Sequence, residues 1–449
     1  MSTIEKHDMT QGKILLPLVS FTIPLVLGNL FQLTYNAADS VIVGKYVGEQ
    51  ALAAVGTSTP IMNIAILLIS GMCMGASVLM SSQYGAKDYD TLSRQISTTM
   101  LAGCGFSVVL SLLMLLLANP VLRLIRVPET AIPEAAAYLR IIFMGLIFTF
   151  MYNFLANTMR ALGDSKTPLY FLVTSAFLNI FGDLFFVVVL RWGVAGSAIA
   201  TVFSEGLCCL LCGIYIKKKI PLLCLGKKWW VFDKSLLGKT VSYGSTSAMQ
   251  QVCLQLGKLI IQSVVNTQGV AVMAAFTAVN RVDDFAYTPQ QNIGHAMTTF
   301  LAQNKGAGHK ERMKKGFQTG LLIELVYSIG LFCVIWGLAP QIMTLFAEDG
   351  DAQVVSLGIS YLHLISWMYI LPGLTNGVQG FFRGIGDLKV TLYSTFMNMF
   401  GRVVAVFVMI RLLQMEFASL AWANMVGWIV MLLFEVPLLV KSMRNGECG

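Results

Sequence analysis

Two carboxylates carry the most specific chemistry in this sequence. Asp39 closes the segment QLTYNAAD, which runs from Gln32. Asn36 precedes it by three residues and Tyr35 by four, so on a helix the three side chains share one face. Asp183 has Asn179 one turn earlier on its own face. Neither acid has a basic residue nearby in sequence. A carboxyl group stripped of water resists ionisation and can exchange protons near neutral pH. Two carboxyls sharing a pocket with Asn and Tyr also suit Na+, which prefers oxygen ligands. The residues leave both ions open. The plainer alternative is a structural role, with the acids satisfied by Asn, Tyr and Thr hydrogen bonds.

The elements that must position these acids are membrane spans. The chain has 449 residues, 56% hydrophobic and 12% charged, with a mean hydropathy of +0.71. A soluble protein carries roughly twice that charged fraction. These figures argue against a soluble multidomain enzyme and a disordered chain, and nine scattered cysteines argue against a disulfide scaffold. Cys209 and Cys212 form a C-x-x-C inside an apolar run without a second pair, which reads as packing rather than zinc ligation. Apolar runs at 14–43, 52–83, 94–122, 133–160, 168–190, 194–216, 240–267, 271–303, 317–346, 354–382, 390–411 and 416–440 predict an all-α polytopic membrane protein of twelve transmembrane helices.

With both termini cytoplasmic, the inner segments hold 22 of the 31 Lys and Arg residues and the outer segments five. The positive-inside rule then sets the orientation: a multi-pass protein of the cell (inner) membrane with both ends inside. The net charge of +8 is mainly this topology signal, and the basic residues are not interleaved with aromatics as a nucleic-acid partner would require.

The sequence is duplicated. RALGDSK from Arg160 to Lys166 returns 223 residues later as RGIGDLK from Arg383 to Lys389, and Tyr138-Leu139 returns as Tyr361-Leu362. At an offset of 221, Gly85-Ala86 returns as Gly306-Ala307. Six spans per copy is an even number, so the copies are parallel repeats around a central cleft. The expected organisation is an N-lobe at 1–216, a basic cytoplasmic linker at 217–239 with Trp229 and Trp230 at the interface, and a C-lobe at 240–449.

Comparing the copies sharpens the reading of the acids. Ile260 stands opposite Asp39, Val406 opposite Asp183, and Arg402 opposite Asn179. The six-helix architecture therefore does not itself require these carboxylates. For Asp283 and Asp284, local pairing with Arg281 is the first expectation and ion coupling the second. Glu435 is expected to snorkel to the cytoplasmic end, Glu324 to be unremarkable, and His295 and His363 to be packed singly. The R-x-x-G-D loops read as a helix end, a turn and a local ion pair. Gly71 and Gly75 read as close helix packing.

The motifs resemble the multidrug and toxic compound extrusion (MATE) family, in its DinF-like prokaryotic branch. The resemblance is carried by Tyr35-Asn36 with Asp39 and Val43-Gly44, Gln83 to Lys87, Arg160 to Asp164 with Thr167-Pro168, Asn179 with Asp183, Gln303 to Gly308, and Arg383 to Asp387. It implies a V-shaped pair of six-helix lobes exporting drugs in exchange for H+ or Na+. It further implies an N-lobe pocket in which Asp39, Asp183 and Asn179 couple to the cation while Tyr35, Asn36, Tyr138, Asn157 and Thr201 line the site. The NorM-like branch relies on an acid in span 7. This chain has Gln251 and Gln255 there, which puts a C-lobe cation site in doubt, and Thr391 replaces a family Pro.

The leading expectation is a secondary active antiporter, not an enzyme, that exports small amphipathic or cationic organic compounds by alternating access. It would need no cofactor beyond H+ or Na+ and would act as a monomer in the lipid bilayer. A lipid-linked oligosaccharide flippase of the same superfamily is the alternative, weakened by the few basic residues within spans. An integral membrane acyltransferase using His295 or His363 is the most distant reading.

Overall fold

The computed structural model describes residues 8–125, 127–220, 230–346, 352–412, 417 and 419–444. Lys227, Lys228 and Trp229 of the expected linker lie outside the described residues. The described chain is almost wholly helical. Its helices are α1 (Leu15–Tyr46), α2 (Glu49–Gly85), α3 (Tyr89–Leu124), α4 (Ile132–Met144), α5 (Leu146–Ala161), α6 (Lys166–Asp183) and α7 (Gly193–Lys219). They continue as α8 (Lys234–Val265), α9 (Val270–Gly306), α10 (Lys310–Phe346), α11 (Ala352–Ser366), α12 (Ile370–Gly384), α13 (Leu388–Phe407) and α14 (Ser419–Arg444).

Two pairs make single bent rods: α4 and α5 meet at Gly145 with a 48° bend, and α11 and α12 join through a 3-10 turn at Trp367–Tyr369. The rods then correspond to the twelve expected spans. Among the described residues nine helices are long and apolar enough to cross a bilayer, ten with the bent α4–α5 pair. The two that fail that test are α8, rich in Ser, Thr and Gln, and α9, which carries Arg281, Asp283 and Asp284. The protein is a multi-pass membrane protein.

The irregular features repeat with the sequence. The bend at Gly145 recurs as the 3-10 turn, and a π-helical turn at Leu184–Val189 recurs at Val408–Leu412. Gly48 and Gly269 both take positive φ, as do Gly163 and Gly386. Features placed alike in both copies belong to the six-helix architecture rather than to one site. The R-x-x-G-D loop differs from its expected form. The Asp164 carboxylate accepts the Lys166 and Thr167 amides at 3.1 and 3.0 Å and the Thr167 hydroxyl at 2.5 Å. It caps the start of α6 instead of pairing with Arg160, because three donors of the helix start lie within reach of its short side chain.

Gly71 and Gly75 face the first part of α8 at close range. A Cβ on Gly75 would lie 2.4 Å from the Tyr243 carbonyl oxygen, and one on Gly71 would lie 2.5 Å from the Ala248 Cα. Both obstacles are backbone, so neither can swing aside, and the expected close packing is present. Gly75→Leu is expected to destabilise the folded protein by roughly 1–3 kcal/mol or more through overpacking. Thermal unfolding in detergent would register this as a lowered melting temperature; an unchanged melt would mean that α2 and α8 do not meet this way.

The helices divide into two compact units, 1–8 with 23–248 and 9–22 with 249–449. The division follows packing, so α1 starts in the C-terminal unit and α8 starts in the N-terminal one. Hydrogen bonds explain both. In the C-terminal unit, Arg312 donates to the carbonyls of Met9, Gln11 and Gly12, while Gln303 Oε1 accepts the Met9 amide at 3.1 Å. In the N-terminal unit, the stretch before α8 pairs with α3. The Val231 amide donates to Ser97 Oγ, the Asp233 amide to Thr98 Oγ1, and Arg94 meets the Asp233 carboxylate at 2.5 Å.

The Ser235 hydroxyl, the amides of 236 and 235, and then Arg94 hold the Asp233 carboxyl below its usual range. A lowered folded-state pKa means that the attachment contributes above the ordinary carboxylate range and is lost as pH falls through the lowered value. Amide exchange at Val231 and Asp233, corrected for intrinsic rates, is therefore expected to accelerate on acidification, and a flat profile would contradict it.

Candidate functional site

The N-terminal unit has an apolar core that includes Leu139, Phe143, Phe150 and Phe154. Polar side chains enter it from regularly spaced positions. On α7, Ser197, Thr201 and Glu205 stand four residues apart and form one polar stripe. The Ser197 hydroxyl donates to Asp39 Oδ1 at 2.6 Å, joining α7 to α1. Asn179 of α6 donates to Thr201 Oγ1 at 3.1 Å. The Thr149 hydroxyl of α5 donates to Glu205 Oε2 at 2.5 Å.

Asp183 is fully buried and occupies the last residue of α6, immediately before the π-helical turn. Close approach to α7 is possible because Gly182 places only hydrogen where a Cβ would sit 3.0 Å from the Ala200 Cβ. The Asp183 carboxyl lies within hydrogen-bonding reach of Asp39. Neither Asp183 oxygen has a donor, and Asn179 Oδ1 also lacks one. Two ionised carboxylates are both acceptors and can be held together only by a shared proton or a cation. With both groups ionised, the Asp39–Asp183 pair would need one or the other.

The structure thus brings together Asp39, Asp183, Asn179 and Thr201. Tyr35 and Tyr138 are close enough to interact electrostatically with the acids, and the Tyr138 hydroxyl itself contacts Met62 Sδ at 3.9 Å. Asn36 lies on an exposed flank of α1. Asn157 is elsewhere: it bonds to the Asn153 carbonyl near the end of α5, and Asn153 in turn bonds to the Thr149 carbonyl. At about 1.5 Å per residue, Asp183 stands about 25 Å along α6 from its first residue, whereas Asn157 is about 6 Å from the end of α5. Its sequence position near Arg160 already implied that separation.

Sequence reasoning did not assign Ser197 or Glu205 to the site. The four-residue spacing of Ser197, Thr201 and Glu205 is the signal that finds them.

The C-terminal unit corrects several expectations. Asp283 and Asp284 do not pair with Arg281. The Tyr369 hydroxyl donates to Asp283 at 2.5 Å, and Asp284 meets Lys258 at 3.5 Å. The 3-10 turn brings Tyr369 inward, while Arg281 faces outward. Glu435 does not snorkel: it is fully buried, with Arg383, Ser394 and Gln379 as its polar neighbours. His295 Nδ1 lies 3.3 Å from Arg383 Nη1, and His363 packs against Trp336 with ring centroids 4.7 Å apart.

The family model MatE matches residues 24–185 and again 247–409, two stretches whose starts are related by the same offset as Arg160 and Arg383. The chain belongs to the MATE family. Members of this family are transporters, so the acyltransferase reading is set aside. A probable multidrug resistance protein of Bacillus subtilis, YpnP, is 32% identical over 87% of this chain and 86% of its own length. A second from the same organism, YoeA, is 29% identical over 85% and 82%. Among solved structures, an outward-facing multidrug resistance MATE family transporter matches with a TM-score of 0.91 at 22% identity, covering 100% of this chain and 99% of that one. At that identity the likeness establishes the fold.

Proposed function

We propose that this MATE family transporter is a secondary active antiporter that exports amphipathic, often cationic organic compounds in exchange for H+ or Na+. The observation that carries the reading is the pairing of half-buried Asp39 with fully buried Asp183, whose facing acceptors, when both ionise, need a proton or cation between them. Multidrug transport itself is supported by the names of the Bacillus relatives. In this reading Asp39, Asp183 and Asn179 hold the coupling ion, and Tyr35, Asn36, Tyr138, Asn157 and Thr201 line the substrate path. Loading the pair reorganises hydrogen bonds between α1, α6 and α7, and release of the ion drives export by alternating access. The protein acts as a monomer in the cell membrane with both termini cytoplasmic.

The deciding experiment uses proteoliposomes with an imposed pH gradient and, separately, an imposed Na+ gradient, together with a lipophilic cationic dye. Dye flux driven by one gradient is the expected result. Dye flux indifferent to both gradients would overturn the antiport reading, and binding of lipid pyrophosphate without dye transport would favour the flippase.

A further inference from the structure

The duplicated R-x-x-G-D motif gives its two arginines different surroundings. In the second copy, buried Arg383 contacts Gln379 Oε1 at 3.5 Å, and the Glu435 carboxylate acts on it through space. In the first copy, Arg160 is the next-to-last residue of α5. Its Nε is buried and has no hydrogen-bond partner. Among the described residues no carboxylate forms an ion pair with it. Asp164, four residues on, is the nearest acid in sequence, but its carboxylate is taken up by the start of α6.

The repeat shows which groups are missing. The offset relating Arg160 to Arg383 puts Cys212 opposite Glu435 and Ala156 opposite Gln379. Cys212 and Ala156 are both buried in the N-terminal unit. The positions that hold a carboxylate and an amide in the second copy thus hold a thiol and a methyl group in the first.

A second donor stands on the same helix. Tyr152, Ala156 and Arg160 are four residues apart and form one stripe of α5. The Tyr152 hydroxyl is buried and has no hydrogen-bond partner. Tyr152 is also near enough to Arg160 to act on it electrostatically. A guanidinium and a phenol therefore approach one another across a small residue, and neither has found an acceptor.

We infer that Arg160 and Tyr152 form an oxyanion site in the N-terminal unit, suited to a phosphate-type group. A cation held within a helix bundle needs a compensating charge. Arginine cannot escape the need by losing its proton, and it has no acceptor atoms of its own. The planar guanidinium presents paired donors that match two oxygens of a phosphate, and the phenol donates to a third. Inorganic phosphate and the phosphodiester of an anionic lipid headgroup present the same oxygens. Arg160 lies at the end of the bent α4–α5 span, where the ends of spans meet water and headgroups. The site is separate from the Asp39–Asp183 pair and does not depend on the function proposed for it.

The test is a thermal melt of the full-length protein in a nonionic detergent. It is titrated with inorganic phosphate and, separately, with short-chain phosphatidylglycerol, both as N-methylglucamine salts. N-methylglucamine chloride at equal ionic strength is the reference, and one cation throughout keeps the Asp39–Asp183 pair in a single state. A saturable rise in melting temperature is expected, because a ligand that binds only the folded state stabilises it. A response to phosphate assigns a soluble anion, and a response to the lipid alone assigns a headgroup. Arg160→Gln is expected to abolish the rise, and Tyr152→Phe to weaken apparent affinity several-fold while the protein still folds. Native mass spectrometry of the same proteins gives an independent readout of the bound phosphate or lipid. The proposal is overturned if neither probe produces a rise, if chloride produces an equal one, or if the rise survives Arg160→Gln. Should Arg160→Gln fail to fold, unchanged affinity in Tyr152→Phe would overturn it equally.

Discussion

Asp183→Asn is expected to reduce substrate-driven ion flux in proteoliposomes to the level of protein-free vesicles, while the protein still folds and inserts. The substitution is nearly isosteric, so packing between α6 and α7 persists. Its effect is chemical. The new amide donates a hydrogen bond to the facing Asp39 and imitates the proton-bridged pair permanently. The site then no longer alternates between loaded and unloaded forms, and coupling fails even where dye binding persists. Asp39→Asn is expected to give the same loss, with the Ser197 bond retained because the Asn side-chain oxygen still accepts it. Wild-type flux in both variants, measured beside normal expression and melting temperature, would remove these residues from the coupling site and return them to a structural role.

Glu435→Gln is expected to produce the largest loss of stability. Arg383 of α12 is only 5% exposed. Its guanidinium bonds to the Gln379 carbonyl at 3.3 Å and contacts Gln379 Oε1 and His295. Gln379 is itself tied to Thr395 at 3.1 Å and to Gln250 at 3.2 Å, so the network joins α8, α9, α12 and α13. Glu435 of α14 supplies the opposite charge through space: among the described residues it forms no direct ion pair with Arg383, and neither of its oxygens has a hydrogen-bond partner. Removing one member of a contacting buried charge pair typically costs about 3–5 kcal/mol, and for these more widely separated charges the loss is expected at or below the lower end of that range. The double change Arg383→Met/Glu435→Leu, which removes both charges, is expected to recover much of that loss. A thermal melt of Glu435→Gln indistinguishable from wild type would place the carboxylate at the lipid headgroups, as its sequence position suggested.

These two cases divide what was legible from what was not. Asp39 and Asp183 stood out in sequence because the second copy has Ile260 and Val406 at the corresponding positions. Their meeting was not readable, since it depends on how α1, α6 and α7 cross. Ser197 and Glu205 were readable as a stripe with Thr201, yet a four-residue spacing does not say which partner the stripe faces. Glu435 misled for a different reason. Distance along the chain from a helix end measures depth in the membrane, but whether a side chain can reach water depends on the helices around it.

The sequence by itself determined the class of the protein, its twelve helical rods and its duplication. Apolar run length, basic-residue placement and motif offset are one-dimensional quantities that the bilayer and the repeat impose directly. Tertiary structure alone decided which polar groups are neighbours. The Asp39–Asp183 pair and the Arg383 network each draw on helices far apart in sequence. Each is defined by hydrogen bonds or close approaches of about 2.5–3.5 Å, the range of heavy-atom hydrogen-bond contacts. No periodicity fixes distances of that size between separate helices. They are set by packing, by the bends at Gly145 and Trp367–Tyr369, and by glycines that let backbones approach.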